Sequence, residues 1–371
     1  MMRRAFLVAL ATFVAACLMS VATMALAASA EGGTTIYRNP LSSLEGLAHD
    51  GAVEVVQEGG YRCVRVAMTG GTPRLLVPLP AAAPGKFIRV RCALKAENAS
   101  NLKDESAGQQ MPRVIILPSD KIKDETGKGG GLGLGATRYS GTFDWIDFQV
   151  LAFLPPDSAQ PLTAAVMVAG DNAKAWVRDL TVTLHDRLPV DEVLWRDDME
   201  EPSAWTVKGG NVSTGSGLDG ASVIIPAGVA MTRVLDTAPV RGKTVRLMVL
   251  GRFEKSRRRI EGKFAGQVSI REAFGQKPVI QLMVQHTQKN WTCRSAVIHI
   301  PDDADKLQLA IGRNDKQDPA PIGFEVDTVL IDEVRKPVEE VKQPIDAVKQ
   351  PSDEVEQPQT EGMVLDGWHL K

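Results

Sequence analysis

Hydrophobic and polar residues alternate along most of the chain with a period of two, the pattern of a β-strand with one buried face. The segment 243–249 places three apolar side chains on one side, and the segments 180–184 and 280–285 alternate in the same way. Clusters of Gly, Pro, Asn and Asp separate these short runs, and no long stretch before residue 335 has helical periodicity. We therefore expect an all-β protein built of antiparallel sheets that pack as sandwiches.

One series of landmarks occurs twice, which indicates tandem domains. In order of first and second copy, the landmarks are the pairs Gly85-Lys86 and Gly242-Lys243, the tryptophans Trp145 and Trp291, the turns Pro156-Asp157 and Pro301-Asp302, and the closing acids Asp179 and Asp327. The interval from the tryptophan to the turn is 11 residues in the first copy and 10 in the second. We predict two tandem jelly-roll sandwiches, at residues 34–187 and 190–335, that join at Leu188-Pro189.

Composition excludes several classes of protein but does not indicate a ligand. The 371 residues are 44% hydrophobic and 24% charged, with 43 basic and 45 acidic side chains. These values exclude a disordered chain, a multispanning membrane protein and a strongly basic nucleic-acid binder. The 5 histidines are scattered without metal-ligand spacing, and no nucleophile-elbow, zinc-protease, CxxC or phosphate-loop motif occurs. Two copies of one small sandwich leave no separate catalytic domain, so we expect a protein that is not an enzyme.

Residues 1–30 have the three parts of a secretory signal peptide. Arg3-Arg4 precedes a long apolar run, and the small residues Ala28-Ser29-Ala30 form a cleavage site. We expect a mature chain that is secreted, periplasmic or on the cell surface and has no membrane span. The alternatives are a retained transmembrane anchor and a lipoprotein acylated at Cys17, which ends the lipobox-like sequence Val14-Ala15-Ala16-Cys17.

Three cysteines remain in the mature chain, and export would place them where disulfides form. Cys63 and Cys92 share the first predicted domain and are the plausible pair, which leaves Cys293 alone. Strand alternation places Cys92 on the apolar face of its strand and Cys63 on the opposite face of its own strand. We expect separate thiols, with a bridge between Cys63 and Cys92 as the alternative.

The start of the second predicted domain resembles a known family. Residues 198–205, Asp-Met-Glu-Glu-Pro-Ser-Ala-Trp, look like the opening signature of CenC-type carbohydrate-binding modules, which belong to the galactose-binding-like jelly rolls. The repeated landmarks are similar to that family as well, although the opening of the first domain at 37–40 lacks the acidic pair and the nearby tryptophan. The resemblance implies a jelly-roll fold, a core tryptophan at Trp205 and weak binding of an extracellular or cell-surface glycan.

The resemblance also implies a structural Ca2+ near the opening and closing strands. Such an ion takes about six to eight oxygen ligands, which carboxylates from separate strands can supply. In this sequence Asp198, Glu200 and Asp327 match the ligand positions, and the metal would stabilise the fold without taking part in chemistry. The alternative is that these acids are solvated residues of turns and strand edges.

Aromatic residues, on which sugars stack, make up only 5% of the chain. Trp145 and Trp291 precede core strands, and we expect both to be buried because large aromatic side chains dominate cores. Trp176 flanks the closing strand of the first domain and is a weak candidate for a ligand-binding residue.

Two further segments have the composition of loops. The run G-x-G-x-x-A within residues 129–136 fails as a dinucleotide fingerprint, because no strand-to-helix unit surrounds it, and we expect a loop there. The basic patch Arg257-Arg258-Arg259 is expected to be a solvated loop, with contact to an acidic glycan or a membrane surface as the alternative.

The last part of the chain, 336–371, has a different character. A seven-residue repeat starts at Pro337, Pro344 and Pro351, and a proline in every heptad opposes a helical coiled coil. We expect an extended spacer there. The apolar terminal peptide 363–371 is expected to dock onto a protein partner or back onto a sandwich, with a frayed end as the alternative.

These observations lead to one functional hypothesis and two alternatives. The first is an exported, non-catalytic protein whose sandwiches bind a glycan. The second is a structural or adhesive surface protein that binds other proteins, and the third is a cryptic glycoside hydrolase, which needs only two facing carboxylates. Exposed aromatic residues beside a concave polar face would favour the first hypothesis, and a packed interface between the domains with no groove would favour the second. Two carboxylates that face each other across a cleft at about 5–10 Å would favour the third.

Overall fold

The structure is a computed structural model, and it describes residues 33–69, 71, 73–100, 111–119, 133–156, 161–189, 191–253, 265–272, 278–285, 290–313 and 323–337. The predictions for the signal peptide, for Arg257-Arg258-Arg259 and for the tail beyond residue 337 lie outside these residues. The described part is an all-β protein apart from one short 3-10 helix, Pro202–Ala204. In this part, no helix is both long enough and apolar enough to cross a membrane.

The strands are numbered in chain order. Those of the first half are β1 (Thr34–Asn39), β2 (Ala48–Asp50), β3 (Ala52–Glu58), β4 (Tyr61–Ala67), β5 (Arg74–Leu79), β6 (Phe87–Ala99), β7 (Arg113–Pro118), β8 (Gly135–Arg138), β9 (Gly141–Phe153), β10 (Leu162–Met167) and β11 (Lys174–His185). Those of the second half are β12 (Val193–Asp197), β13 (Thr206–Lys208), β14 (Ser213–Ser216), β15 (Ala221–Ile225), β16 (Ala230–Leu235), β17 (Thr244–Phe253), β18 (Ala265–Glu272), β19 (Pro278–Gln285), β20 (Thr292–His299), β21 (Leu307–Arg313) and β22 (Phe324–Glu333).

The described strands form three sheets. Sheet 1 has the order β3-β4-β11-β6-β9, with β1 paired to β11. Sheet 2 has the order β14-β15-β22-β17-β20-β8-β7-β10-β5-β2, with β12 paired to β22, and sheet 3 has the order β13-β16-β21-β18-β19. Neighbours are antiparallel except for β8 and β20, which are parallel. The all-β, antiparallel architecture expected from the alternation is therefore confirmed.

Two hydrophobic cores fill the two sandwiches. The first lies between sheet 1 and the β8-to-β2 half of sheet 2, where Val64 and Val166 belong to one buried cluster. The second lies between sheet 3 and the β14-to-β20 half of sheet 2, where Leu247 and Ile311 are buried together. The cores fall largely on either side of the join at Leu188-Pro189, while the exact domain bounds stay a prediction.

Strand β8 makes sheet 2 continuous between the sandwiches. Its residues pair with β20 from Gly135 opposite Cys293 to Arg138 opposite Ala296. We predicted a loop for 129–136, and the end of that run begins a strand instead. Glycine is needed there because a Cβ on Gly135 would lie 1.8 Å from the carbonyl oxygen of Leu151.

Strand β9 of sheet 1 contributes side chains to two buried clusters. The inward side chains of β9, such as Val150, belong to the first core. Its outward side chains Leu151 and Phe153 belong to a third buried cluster with Met248 and Leu250 of the second sandwich. The described residues from 33 to 337 belong to one compact unit.

Candidate functional site

The three acids predicted to hold Ca2+ line one cleft between the sandwiches. Asp198, Glu200 and Asp327 face a cavity of about 510 Å3. The first sandwich and its connection to the second contribute Phe87, Phe153 and residues 186–188 to the lining. We call this cavity the cleft. Asp198 and Glu200 follow β12, and Asp327 lies in β22. Because β12 pairs with β22, the fold brings the three acids together.

Asp327 is the buried acid of the cleft, since only 5% of the residue is exposed. Its Oδ2 accepts a hydrogen bond from the backbone N–H of Leu218 at 2.5 Å, and its Oδ1 accepts one from the Thr328 hydroxyl at 2.7 Å. Burial raises the pKa of Asp327, and the nearby charges of Asp198 and Asp219 raise it further against these two hydrogen bonds.

The other two acids are also held by protein donors. Glu200 Oε1 accepts a hydrogen bond from the backbone N–H of Ala221 at 2.8 Å. Asp198 Oδ1 accepts one from Arg196 Nε at 2.7 Å. Among the described residues, no group of three or more His, Cys, Asp or Glu side chains is arranged to hold a metal ion. The cleft therefore gathers the predicted residues without forming a ready Ca2+ site, and calcium binding stays a prediction.

A second polar and aromatic surface lies on the outer face of sheet 1. The rings of Tyr61 and Trp145 are half-buried and meet edge to face, with centroids 6.2 Å apart. The guanidinium of Arg178 lies 3.8 Å from the centroid of Tyr61 and 5.1 Å from that of Trp145, and it is paired with Asp179. We call the surface formed by Tyr61, Trp145, Trp176, Arg178 and Lys95 the aromatic face.

Two β-bulges shape the aromatic face. In β9 the register against β6 shifts between Phe143 and Ile146, which leaves Trp145 in the bulge. In β11 it shifts between Arg178 and Thr181, and Asp179 has the left-handed backbone angle φ of 55°. A bulge puts two residues opposite one and redirects a side chain, which often occurs beside binding sites. Both bulges therefore aim charged and aromatic groups at the same region.

Trp176, the weak candidate from the sequence, belongs to this face but is covered. Only 3% of it is exposed, and Lys95 Nζ lies 5.4 Å from its ring centroid. Lys95 in turn donates to Glu58 at 2.6 Å, a hydrogen bond that raises the pKa of the lysine. In this arrangement Trp176 supports Lys95 and presents no open ring. Beside Trp145, Tyr61 is half-buried and Arg178 is buried, and the sequence analysis singled out neither.

The remaining tryptophans fit the sequence predictions in different degrees. Trp205 is buried in the second core, as the family resemblance implied, and its indole N–H donates to Asp197 at 3.0 Å. Trp291 is buried, as expected, in the cluster between the sandwiches. Trp145 was also expected to be buried and is only half-buried, because its bulge turns it toward the outer face.

The cysteines are free thiols, as we expected. Cys92 lies in the first core, whereas Cys63 lies on the outer side of sheet 1 beneath the aromatic face. Burial raises the pKa of Cys63 to about 11, and Glu58 contributes in the same direction. Burial between the sandwiches raises the pKa of Cys293 to about 12. All three are therefore protonated and unreactive at neutral pH.

Comparison with known proteins gave likenesses to solved structures alone. No family model matches this chain, and no curated protein matches it. One similar structure is the N-terminal CBM22-1-CBM22-2 tandem domain of Xyn10C from Paenibacillus barcinonensis, with 13% identity and a TM-score of 0.29 over 81% of this chain and 98% of that chain. Another is the pair of tandem CBM51 modules of Sp3GH98, a family 98 glycoside hydrolase from Streptococcus pneumoniae, with 8% identity and a TM-score of 0.25 over 80% of this chain and 99% of that one.

A third similar structure comes from a plant receptor. It is the extracellular domain of ANXUR1 from Arabidopsis thaliana, with 9% identity and a TM-score of 0.22 over 78% of this chain and 89% of that chain. All three TM-scores are below 0.5.

Proposed function

We propose that this chain is an exported, non-catalytic protein that binds an extracellular or cell-surface glycan through the aromatic face. The observation that supports this proposal is the half-buried pair of Tyr61 and Trp145, with the guanidinium of Arg178 beside both rings. Export rests on the sequence of residues 1–30 and is part of the same proposal.

The chemistry of the aromatic face suits a neutral, hydroxyl-rich ligand. Aromatic rings offer apolar surface to the C–H faces of a sugar, while planar and charged groups bond its hydroxyls. Here Lys95 and Glu58 are a donor and an acceptor beside the rings. The Nε–H of Arg178 is buried and has no acceptor among the described residues. Because this atom has almost no surface open to solvent, Arg178 contributes through its contact with the two rings and not through this donor.

The acids of the cleft are the place where the non-catalytic proposal and the hydrolase alternative differ. Asp198, Glu200, Asp219 and Asp327 all come from the second sandwich, and Asp186 is the acid contributed by the other side. Asp186 is paired with Lys86, and this pairing lowers its pKa. A glycoside hydrolase needs one carboxyl group with a raised pKa that faces an ionised one across the substrate. Asp327 has the raised pKa and Asp186, on the other side of the cleft, has the lowered one, so these two acids are the pair that the hydrolase alternative would have to use.

The packed interface gives the alternative function its support. Phe87, Leu151 and Phe153 are buried against the second sandwich, and the two sandwiches share sheet 2. A rigid pair of sandwiches is also what a structural or adhesive surface protein would need. Under that alternative the tail would make the contact with another protein through 363–371.

Retention on immobilised polysaccharides tests the proposal directly. We expect the purified chain to bind one glycan class, and Trp145→Ala or Tyr61→Ala to weaken that binding about tenfold, which corresponds to about 1.4 kcal/mol. Trp195→Ala is the matched control, because Trp195 is also half-buried, packs edge to face on Trp205 and has Arg233 5.7 Å from its ring centroid.

The outcomes of that experiment distinguish glycan binding by the aromatic face from the structural alternative. Loss of binding in the Tyr61 and Trp145 variants but not in the Trp195 variant supports the aromatic face. Equal loss in all three variants, or loss in the Trp195 variant alone, contradicts it. Failure of the wild-type chain to bind any polysaccharide favours the structural alternative, in which case a peptide of residues 363–371 becomes the bait for a protein partner.

A further inference from the structure

The cleft combines an apolar floor with an excess of negative charge. Phe87, Phe153 and Leu250 belong to the buried cluster between the sandwiches and also line the cavity. The lining contains the carboxylates of Asp186, Asp198, Glu200, Asp219 and Asp327, against the guanidinium groups of Arg187 and Arg196 alone. A cavity of this composition attracts a ligand that is both positively charged and partly apolar.

Asp327 differs from the other buried acids of β22, because each of those acids is paired with an arginine. Glu325 is bonded to Arg252 at 2.6 Å, and Asp332 is bonded to Arg246 at 3.0 Å. Asp327 is only 5% exposed, yet among the described residues no cation pairs with it. A buried carboxylate without a counter-charge is unfavourable, because attraction to a cation is what offsets the loss of hydration.

The hydroxyl of Thr328 shows that the acids in the cleft compete for donors. It lies 2.7 Å from Asp327 Oδ1 and 3.2 Å from Asp198 Oδ1. A hydroxyl carries one hydrogen and can donate it to only one of the two carboxylates at a time. When the hydroxyl donates to Asp327, Asp198 keeps its hydrogen bond from Arg196 Nε, whereas no cation among the described residues pairs with Asp327. An ammonium group has three N–H donors and would satisfy both acids together.

We propose that the cleft binds a small organic ammonium ion, with its charged nitrogen at Asp327 and Asp198 and its carbon body over Phe87 and Phe153. The proposal does not depend on glycan binding by the aromatic face, which lies elsewhere on the molecule. It extends the function of the chain to a second ligand of a different chemical class.

The size and the donor pattern of the cleft favour an organic cation over a bare metal ion. About 510 Å3 is the volume of a compact organic molecule and far exceeds that of one ion. Each carboxylate oxygen of Asp327 accepts one hydrogen bond, from Leu218 or Thr328, and keeps a further acceptor site that one N–H of an ammonium group can fill. Unlike Ca2+, an ammonium ion needs no closed shell of about six to eight oxygens.

Matched pairs of probes test the charge requirement. We would titrate the purified chain by calorimetry with cyclohexylmethylamine and with cyclohexylmethanol, which have the same carbon body with and without the charge. Glucosamine and N-acetylglucosamine form a second pair, which tells whether an amino sugar is accepted as the source of the ammonium group. Ca2+ is titrated separately.

Asp327→Asn is the informative variant because an amide can keep both native hydrogen bonds. Its oxygen can accept from the N–H of Leu218 while its NH2 group donates to the Thr328 hydroxyl, which then donates to Asp198. Folding is therefore expected to be retained, and the thermal midpoint checks it. Asp303→Asn, an exposed acid outside the cleft lining, is the matched control.

The proposal predicts that an amine binds, that its neutral partner binds at least tenfold more weakly, and that Asp327→Asn removes the difference while Asp303→Asn does not. Equal binding of the amine and the alcohol would overturn it, as would unchanged amine affinity in folded Asp327→Asn. Binding of Ca2+ with no binding of either amine would also overturn it, in favour of a metal site.

Discussion

At the level of single residues, the raised pKa of Asp327 has a measurable effect on stability. Burial and its acidic neighbours raise this pKa above the ordinary value of 3.8. The folded state therefore holds the proton more tightly than the unfolded state, and the contribution to stability is present below the ordinary pKa and is lost as the pH rises through the raised one. We expect folded Asp327→Asn to exceed the wild type in free energy of unfolding at pH 7 and to match it near pH 3. Urea denaturation at a series of pH values checks this, and a difference that is independent of pH would contradict it.

A second prediction concerns the ion pair between Arg246 and Asp332, in which both side chains are 1% exposed. With its amide oxygen turned toward the guanidinium, Gln149 of the first sandwich accepts hydrogen bonds from the same arginine at 3.0 and 3.3 Å. Arg246→Met would leave a buried carboxylate unpaired, and we expect it to lower the free energy of unfolding by about 3–5 kcal/mol. The double variant Arg246→Met/Asp332→Leu should recover most of this loss, and a double variant as unstable as the single one would refute the explanation. Chemical denaturation measures both.

Sequence reasoning identified part of each candidate site. Asp198, Glu200 and Asp327 could be chosen because a family resemblance supplied their positions, and the structure places them around one cleft. Tyr61 and Arg178 could not be chosen, since their meeting with Trp145 depends on the pairing of β4, β11, β6 and β9 and on two bulges. Alternation shows which face a side chain takes on its own strand, but it does not show which strands are neighbours or where the register shifts.

At the level of strands, the glycine-rich run that ends in β8 was wrongly predicted to be a loop, and its glycine content explains why. The runs at 180–184 and 280–285 alternate clearly and lie in β11 and β19, and the run at 243–249 lies in β17 from its second residue onward, as expected. The run that ends in β8 has too few side chains to show any period, so its pairing with β20 could not be read from the sequence.

The close approach of the backbone at Gly135 predicts a strong effect of adding one methyl group. A Cβ at this position would lie 1.8 Å from the Leu151 carbonyl oxygen, so β8 would have to move away from β9. We expect Gly135→Ala to lower the free energy of unfolding by about 1–3 kcal/mol, the usual range for overpacking. Gly312→Ala in β21 is the control, because the nearest atom to its Cβ would be 3.4 Å away. A loss no greater than in this control would show that the junction can relax.

At the level of the whole molecule, the two sandwiches are joined by more than a linker. The sequence predicted two tandem domains, and each does have a core of its own. The shared sheet 2 and the cluster around Leu151 and Met248 add a third region in which both halves bury apolar surface. The repeat in the sequence could not indicate this region, because landmarks common to both copies describe what the sandwiches share and not where they meet.

This junction predicts that the sandwiches unfold together. A fragment of residues 34–187 would expose Phe87, Leu151 and Phe153 and the β20-facing edge of β8. Since burying each such side chain contributes about 1.5–3 kcal/mol, the fragment would lose about 4.5–9 kcal/mol, much of the stability of an ordinary domain of about 5–15 kcal/mol.

We therefore expect one calorimetric transition for the intact chain, with equal calorimetric and van't Hoff enthalpies, because the loss of either sandwich exposes the apolar surface of the other. The separate fragments 34–187 and 190–335 should each melt at a lower temperature than the intact chain and bind a hydrophobic dye that the intact chain does not bind. Two resolved transitions, each at the midpoint of its isolated fragment, would show that the junction contributes no cooperativity.

The cleft is formed by both sandwiches. If the sandwiches unfold in a single transition, a ligand bound in the cleft therefore stabilises the whole unit. The gain in the free energy of unfolding rises with the ratio of the ligand concentration to its Kd.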